Sequence, residues 1–164
     1  MSQASGRKAT SKSAHDTGPK SSPGRKTRRI EQGDERIRES VQTYLDRFTR
    51  AVTSGDTKTI AGLWEVPAFV IGAEHSRVIQ SLDEVEEFFA GAKDMYNERG
   101  IVDTRAEIQD LDVISPDLVL VRVRFPYYDE KGDEHGEESS SYTLMRGSDG
   151  EFKMRVVTMR GESA

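Results

Sequence analysis

The chain has 164 residues, 34% hydrophobic and 32% charged, with a formal charge of −5, a composition that fits one globular domain. It contains no cysteine, which excludes disulfides, thiolate catalysis and cysteine-based zinc sites. No run approaches the ~18 apolar residues of a membrane span, and no apolar segment follows the basic N-terminus as a secretory signal requires; a cytoplasmic protein without membrane contact is expected.

These averages conceal two unlike pieces. Residues 1–29 contain no Val, Ile, Leu, Phe, Trp or Tyr. They hold eight of the 24 basic residues and one acidic residue, Asp16, a formal +7 that leaves −12 on the remainder. With nothing large to bury, this segment cannot offset its ordering entropy, so residues 1–33 are expected to form a disordered basic tail ahead of a domain over 34–161. Its densest part, residues 24–29, suits weak, non-specific, salt-sensitive contact with nucleic-acid phosphates, and the lack of aromatic residues removes base stacking.

From Asp34 onward, Ile37, Val41, Tyr44, Leu45, Phe48 and Val52 recur at helical spacing, and Gly55 closes that helix while Asp56 is placed to cap the next. The second helix is predicted over 57–64, closed by Pro67. Phe69-Val70-Ile71 and Arg77-Val78-Ile79 then read as a hairpin around a polar turn that holds His75. Ser81-Leu82-Asp83-Glu84 is a capping box opening a third helix through Val85, Phe88, Phe89, Ala92 and Tyr96, ended by Gly100. Beyond it the period changes to two, with strands predicted over 104–114, 118–128, 137–146 and 151–160 and turns at 115–117, 130–133 and 147–150. Val119, Val121, Val123 and Phe125 alternate with Leu118, Leu120, Arg122 and Arg124, so the first set faces inward and the arginines face out. The last strand is apolar on both parities, with Phe152, Met154 and Val156 on one and Val157 and Met159 on the other, which predicts burial on both faces and a homodimer through the outer sheet face.

Three helices on one face of a strongly curved, mostly antiparallel sheet make an α+β domain. The order, carried by Val41-Gln42-Thr43-Tyr44 leading to Ser54-Gly55-Asp56, then Leu63-Trp64, the capped helix with Phe88-Phe89, and Tyr142-Thr143-Leu144-Met145-Arg146, resembles the nuclear transport factor 2-like superfamily, which includes ketosteroid isomerases and polyketide cyclases. The resemblance spans roughly residues 34–161 and implies a cystatin-like cone, a concave apolar pocket for a small hydrophobic ligand, and pairing as dimers. In the isomerase branch the chemistry needs an Asp base and an oxyanion hole of a Tyr and a protonated Asp; the corresponding positions here are Phe48, near Gly72 and near Tyr142, so the resemblance implies that this constellation is missing. Three readings stay open: a ligand-binding cone; an isomerase, dehydratase or cyclase working through Tyr44, Tyr142 and Arg155; and a structural or adaptor dimer with a filled cone.

The pocket candidates are Tyr44, Phe48, Trp64, Phe88, Phe89, Tyr142 and Arg155. The aromatics lie on stripes that serve a core and a pocket wall alike, and Trp64, the single tryptophan, falls at the expected mouth. Arg155 falls on the Val157 and Met159 side; if that side is the interior it is the single cation able to meet an anionic ligand, and the parity of this strand stays open. His15, His75 and His135 fall in the tail and in turns without metal-ligand spacing. The acidic stretch of Asp129, Glu130, Asp133, Glu134, Glu137 and Glu138 lacks the order of a calcium loop and reads as a solvated edge. No metal or cofactor is predicted.

Overall fold

The computed structural model describes residues 26–163, with side chains described over 33–162. Helix α1 spans Lys26–Ser54, so its backbone starts ahead of the expected Asp34, and of the segment read as a disordered tail, residues 1–25 lie outside the described residues. The predicted stripe is the buried one: Ile37, Val41, Tyr44, Leu45, Phe48 and Val52 all belong to the core. Gly55, at φ +71°, reverses the chain in the left-handed region that favours glycine. Asp56 caps α2 (Thr57–Gly62) through its carboxylate, which accepts from the Thr59 amide at 3.1 Å.

Helix α2 ends two residues short of Trp64 because the Leu63 amide closes onto the Ile60 carbonyl. Trp64 opens strand β1 (Trp64–Ile71) instead. Pro67 is thus a strand residue rather than a helix stop. It falls where the pairing of β1 shifts register, between Trp64 and Phe69, so its missing N–H interrupts no regular ladder. Strand β2 (Ser76–Ile79) returns antiparallel beside β1.

The predicted third helix is two. Helix α3 (Leu82–Phe89) is capped by Ser81, whose hydroxyl accepts from the Glu84 amide, while the Glu84 carboxylate reaches back to the Gln80 amide. Helix α4 (Ala92–Glu98) follows after a break at Ala90-Gly91, where glycine is a poor helix former. The break lets the two pieces pack differently, α3 on α2 and β1, α4 on α1. The chain therefore has four described helices rather than three.

Strands β3 (Asp103–Thr104) and β4 (Glu107–Ser115) replace the single strand predicted there, and both pair with β5 (Leu118–Tyr128), followed by β6 (Glu134–Arg146) and β7 (Phe152–Ser163). The sheet runs β2-β1-β7-β6-β5-β3, with β4 also on β5. The β1–β7 pair is parallel and the others are antiparallel. Val119, Val121, Val123 and Phe125 are buried, and Arg124 on the opposite face is ringed by Glu107, Glu134 and Glu137.

Strand β7 has a different arrangement from the one its double apolar parity suggests. Thr143 pairs with Val156 but Leu144 pairs with Met154, so Arg155 is an extra residue, and Arg160 is a second one between Met159 and Gly161. Each bulge flips the alternation. Phe152 and Met154 before the first bulge and Val157 after it are consequently all buried on the helix-covered face, and the mixed parity does not require a second cover. The outer face nonetheless exposes Phe69, Ile71, Val78 and Leu120.

Candidate functional site

Between α1, α3, α4 and the concave side of β5–β7 lies a cavity of about 330 Å³. Its wall is aromatic. The rings of Phe48 and Phe89 meet edge-to-face at 5.7 Å, Phe89 meets Trp64 at 6.0 Å and Phe88 at 5.0 Å, and Phe48 meets Tyr142 at 6.3 Å, which in turn abuts Phe125 at 6.1 Å. Edge-to-face contacts of this kind lock ring orientation beyond simple burial. Phe88, Met95 on α4 and Met159 are lining residues that remain exposed, at 38%, 55% and 43%, so they mark the mouth.

The polar end is built by alternation along β6. Tyr142, Ser140 and Glu138 share one face of the strand and all line the cavity. Across the ladder, Glu138 faces Glu162 on β7. The Tyr96 hydroxyl, brought over by α4, donates to Glu138 Oε1 at 2.8 Å, and the Tyr127 hydroxyl donates to Glu162 Oε1 at 3.3 Å. Arg99 pairs with Glu162 at 3.2 Å and lies over the Tyr127 ring. Burial pushes the Glu138 carboxyl above its ordinary pKa, and the Tyr96 hydrogen bond opposes that shift. Burial likewise raises the Tyr142 and Tyr96 phenols, with the nearby Glu138 adding to both, so each stays protonated and able to donate.

Of the residues singled out in the sequence, Phe48, Trp64, Phe88, Phe89 and Tyr142 gather around this cavity. Tyr44 and Arg155 do not. Tyr44 is a core residue whose hydroxyl donates to the Leu63 carbonyl, which leaves it no hydroxyl to offer a ligand. Arg155 is the bulge residue of β7 and pairs with Glu65 at 3.5 Å, so the cation once placed for an anionic ligand is elsewhere. Glu138 corrects the reading of the acidic stretch as a solvated edge, because it is partly buried in the cavity wall. Its signal was the step of two back from Tyr142 through Ser140. Tyr96, Tyr127, Arg99 and Glu162 carried no signal beyond their place on amphipathic elements.

In the β5–β6 turn, Asp129, Asp133 and His135 bring ligand-type atoms within 4.8 Å of one another. The Asp129 carboxylate is already taken up by the Lys131 and Asp133 amides and by His135. Among the described residues no helix is long and apolar enough to cross a membrane.

Four helices laid on a curved, mostly antiparallel sheet around an aromatic cavity define a nuclear transport factor 2-like domain of cystatin-like fold. The chain belongs to the family described as NTF2-like protein (DUF6841), which matches residues 34–162. Solved structures agree on the fold. A domain of unknown function with a cystatin-like fold from Nostoc punctiforme superposes with a TM-score of 0.59 at 14% identity over 75% of each chain. A protein assigned provisionally as a scytalone dehydratase, from Novosphingobium aromaticivorans, does so with a TM-score of 0.59 at 14% identity, over 82% of this chain and 89% of that one. An NTF2-like protein of unknown function from Shewanella oneidensis gives 0.56 at 14% identity, over 74% of this chain and 96% of that one. At such identities the likeness concerns the fold alone. A search among curated proteins finds no match.

Proposed function

We propose that this domain binds a compact, largely apolar small molecule in its cone, with a polar group of the ligand directed at the Tyr142–Ser140–Glu138 row. The observation that carries this reading is the cavity itself: aromatic walls with a few convergent polar groups at one end are the composition of a small-molecule site, whereas an adaptor with a filled cone needs no such space. Titration with hydrophobic ligands followed by Trp64 fluorescence, the single indole signal, tests it. Tyr142→Phe should weaken binding by about 0.5–1.5 kcal/mol, the worth of one neutral hydrogen bond. A ligand library that leaves both the Trp64 signal and the melting temperature unmoved would remove the basis for the proposal.

A second reading, an isomerase, dehydratase or cyclase, is favoured by one observation: a carboxyl with a raised pKa and two phenols face the cavity, the equipment of acid–base chemistry. The proposal also includes a cytoplasmic location and a second copy of this chain on the outer sheet face, supported by the exposed Phe69, Ile71, Val78 and Leu120, which a two-fold axis would cover with the same patch of the partner. Weak phosphate contact by the basic segment rests on its charge alone.

A further inference from the structure

The cavity is electrically one-sided. Among the described residues its lining contains Glu138 and Glu162 and no Lys, Arg or His. The two carboxylates are cross-strand neighbours but differ in their surroundings. Glu162 has the Arg99 guanidinium at 3.2 Å, so its charge is balanced from outside the cavity. Glu138 has the phenols of Tyr96 and Tyr127 and no ion-pair partner among the described residues. Taking a carboxylate out of water without a directly paired counter-charge is unfavourable, and the nearest cation, Arg99, is paired with Glu162 and acts on Glu138 only from a distance. The rings of Phe48, Trp64, Phe89, Phe125 and Tyr142 surround the same space, and aromatic faces carry negative potential that attracts organic cations. Rings bordering this site already do so with the protein's own cations: Arg77 lies over Phe88 at 5.8 Å and Arg99 over Tyr127 at 5.2 Å.

Building on the small-molecule reading above, we infer that the ligand is an organic cation, an amine or quaternary ammonium on a compact apolar or aromatic body, seated with its charged end at Glu138. The inference runs against what an apolar cavity alone prefers, since burial of hydrocarbon favours a neutral molecule of the same shape. It also excludes anions, because two carboxylates face the space and Arg155 does not.

The test uses the full chain and two probes of nearly identical shape, benzyltrimethylammonium and its neutral carbon isostere neopentylbenzene, titrated by calorimetry and by Trp64 fluorescence. At about pH 8, where an ordinary carboxylate and a moderately raised one are both ionised, the cation should bind at least about tenfold more tightly than the isostere. Glu138→Gln should erase that preference while leaving the neutral probe's affinity in place. Lowering the pH should weaken the cation's binding as a proton takes its place on Glu138. The groups facing Glu138 are Tyr96 from α4, Tyr127 from β5, Tyr142 from β6, and Glu162 from β7 with Arg99 beside it, and the three phenols stay protonated throughout. Equal or tighter binding of the neutral probe to the wild type overturns the inference but leaves the small-molecule reading standing. Binding of neither probe overturns both. A cation preference that survives in Glu138→Gln also overturns the assignment, and if that variant does not fold, the wild-type comparison and its pH slope decide.

Discussion

Tyr96→Phe isolates one hydrogen bond at the heart of the cavity. The ring keeps its contact with Tyr127, at 5.7 Å between centroids, and only the donor to Glu138 Oε1 is removed. A hydrogen bond to an ionised group contributes about 1.5–3 kcal/mol and a neutral one about 0.5–1.5 kcal/mol. Both partners are only partly buried, so solvent screening discounts the ionised case to about 1–2 kcal/mol. The Tyr96 bond favours the charged form of Glu138, and its loss drives that carboxyl higher still. The destabilisation should therefore be largest above the titration of Glu138 and shrink below it. Urea denaturation of wild type and variant at about pH 8 and about pH 4 measures both ends. Helix α4 buries none of its residues, so the amides over 92–98 should also exchange faster in the variant. A loss that is the same at both pH values, or below about 0.3 kcal/mol at the higher one, would refute the reasoning.

Three further outcomes follow from other parts of the fold. The folded-state pKa of Glu138 is raised, so the stability associated with its proton is fully present below the ordinary carboxylate range and is lost as pH rises through the folded value; Glu138→Gln should thus gain on the wild type from acid to neutral pH in parallel thermal melts, and a flat or opposite trend contradicts the shift. Gly55→Ala should destabilise by about 1–2 kcal/mol, because a Cβ at positive φ is strained and would stand 3.1 Å from the Lys93 side chain; an unchanged denaturation midpoint would show that the α1–α2 turn relaxes. Phe69→Asp on the outer sheet face should shift sedimentation from dimer to monomer without lowering the cavity's affinity for its ligand, and a wild type that is monomeric at micromolar concentration ends the dimer proposal.

Much of this architecture is legible from local pattern. The α1 stripe and the β5 alternation are single-element signals, and each is bounded by a turn with its own chemistry, Gly55 after α1 and Pro116-Asp117 before β5. The misread places are those where a partner strand or helix decides. Pro67 closes helices in general, yet here Trp64 is drawn into the β7 ladder by the Met154–Leu63 hydrogen bond, so the proline lands inside a strand. The division of residues 81–100 into α3 and α4 depends on what each piece packs against. Arg155 had two readings because parity along β7 is meaningful only when the bulge is known, and the bulge is a property of the pairing with β6. Glu138 was hidden by composition: an acidic neighbourhood suggests water, while the pleat that turns Tyr142 inward turns Glu138 inward with it.

The two extra residues in β7 work as phase slips. Before the first, Phe152 and Met154 fill the closed end of the cone; after it, Val157 and Met159 face the open space, and beyond the second Glu162 reaches the polar end. One strand thereby runs as three short segments with independent facing, so residues 157–162 are free to change with the chemistry of whatever occupies the cone while the packing around Met154 stays untouched. Deleting Arg155 would close the first slip without turning the strand: Val156 would follow Met154 directly and Val157 and Met159 would keep their facing, so the cavity wall tolerates the loss of that residue where it would not tolerate the loss of a paired one such as Thr158.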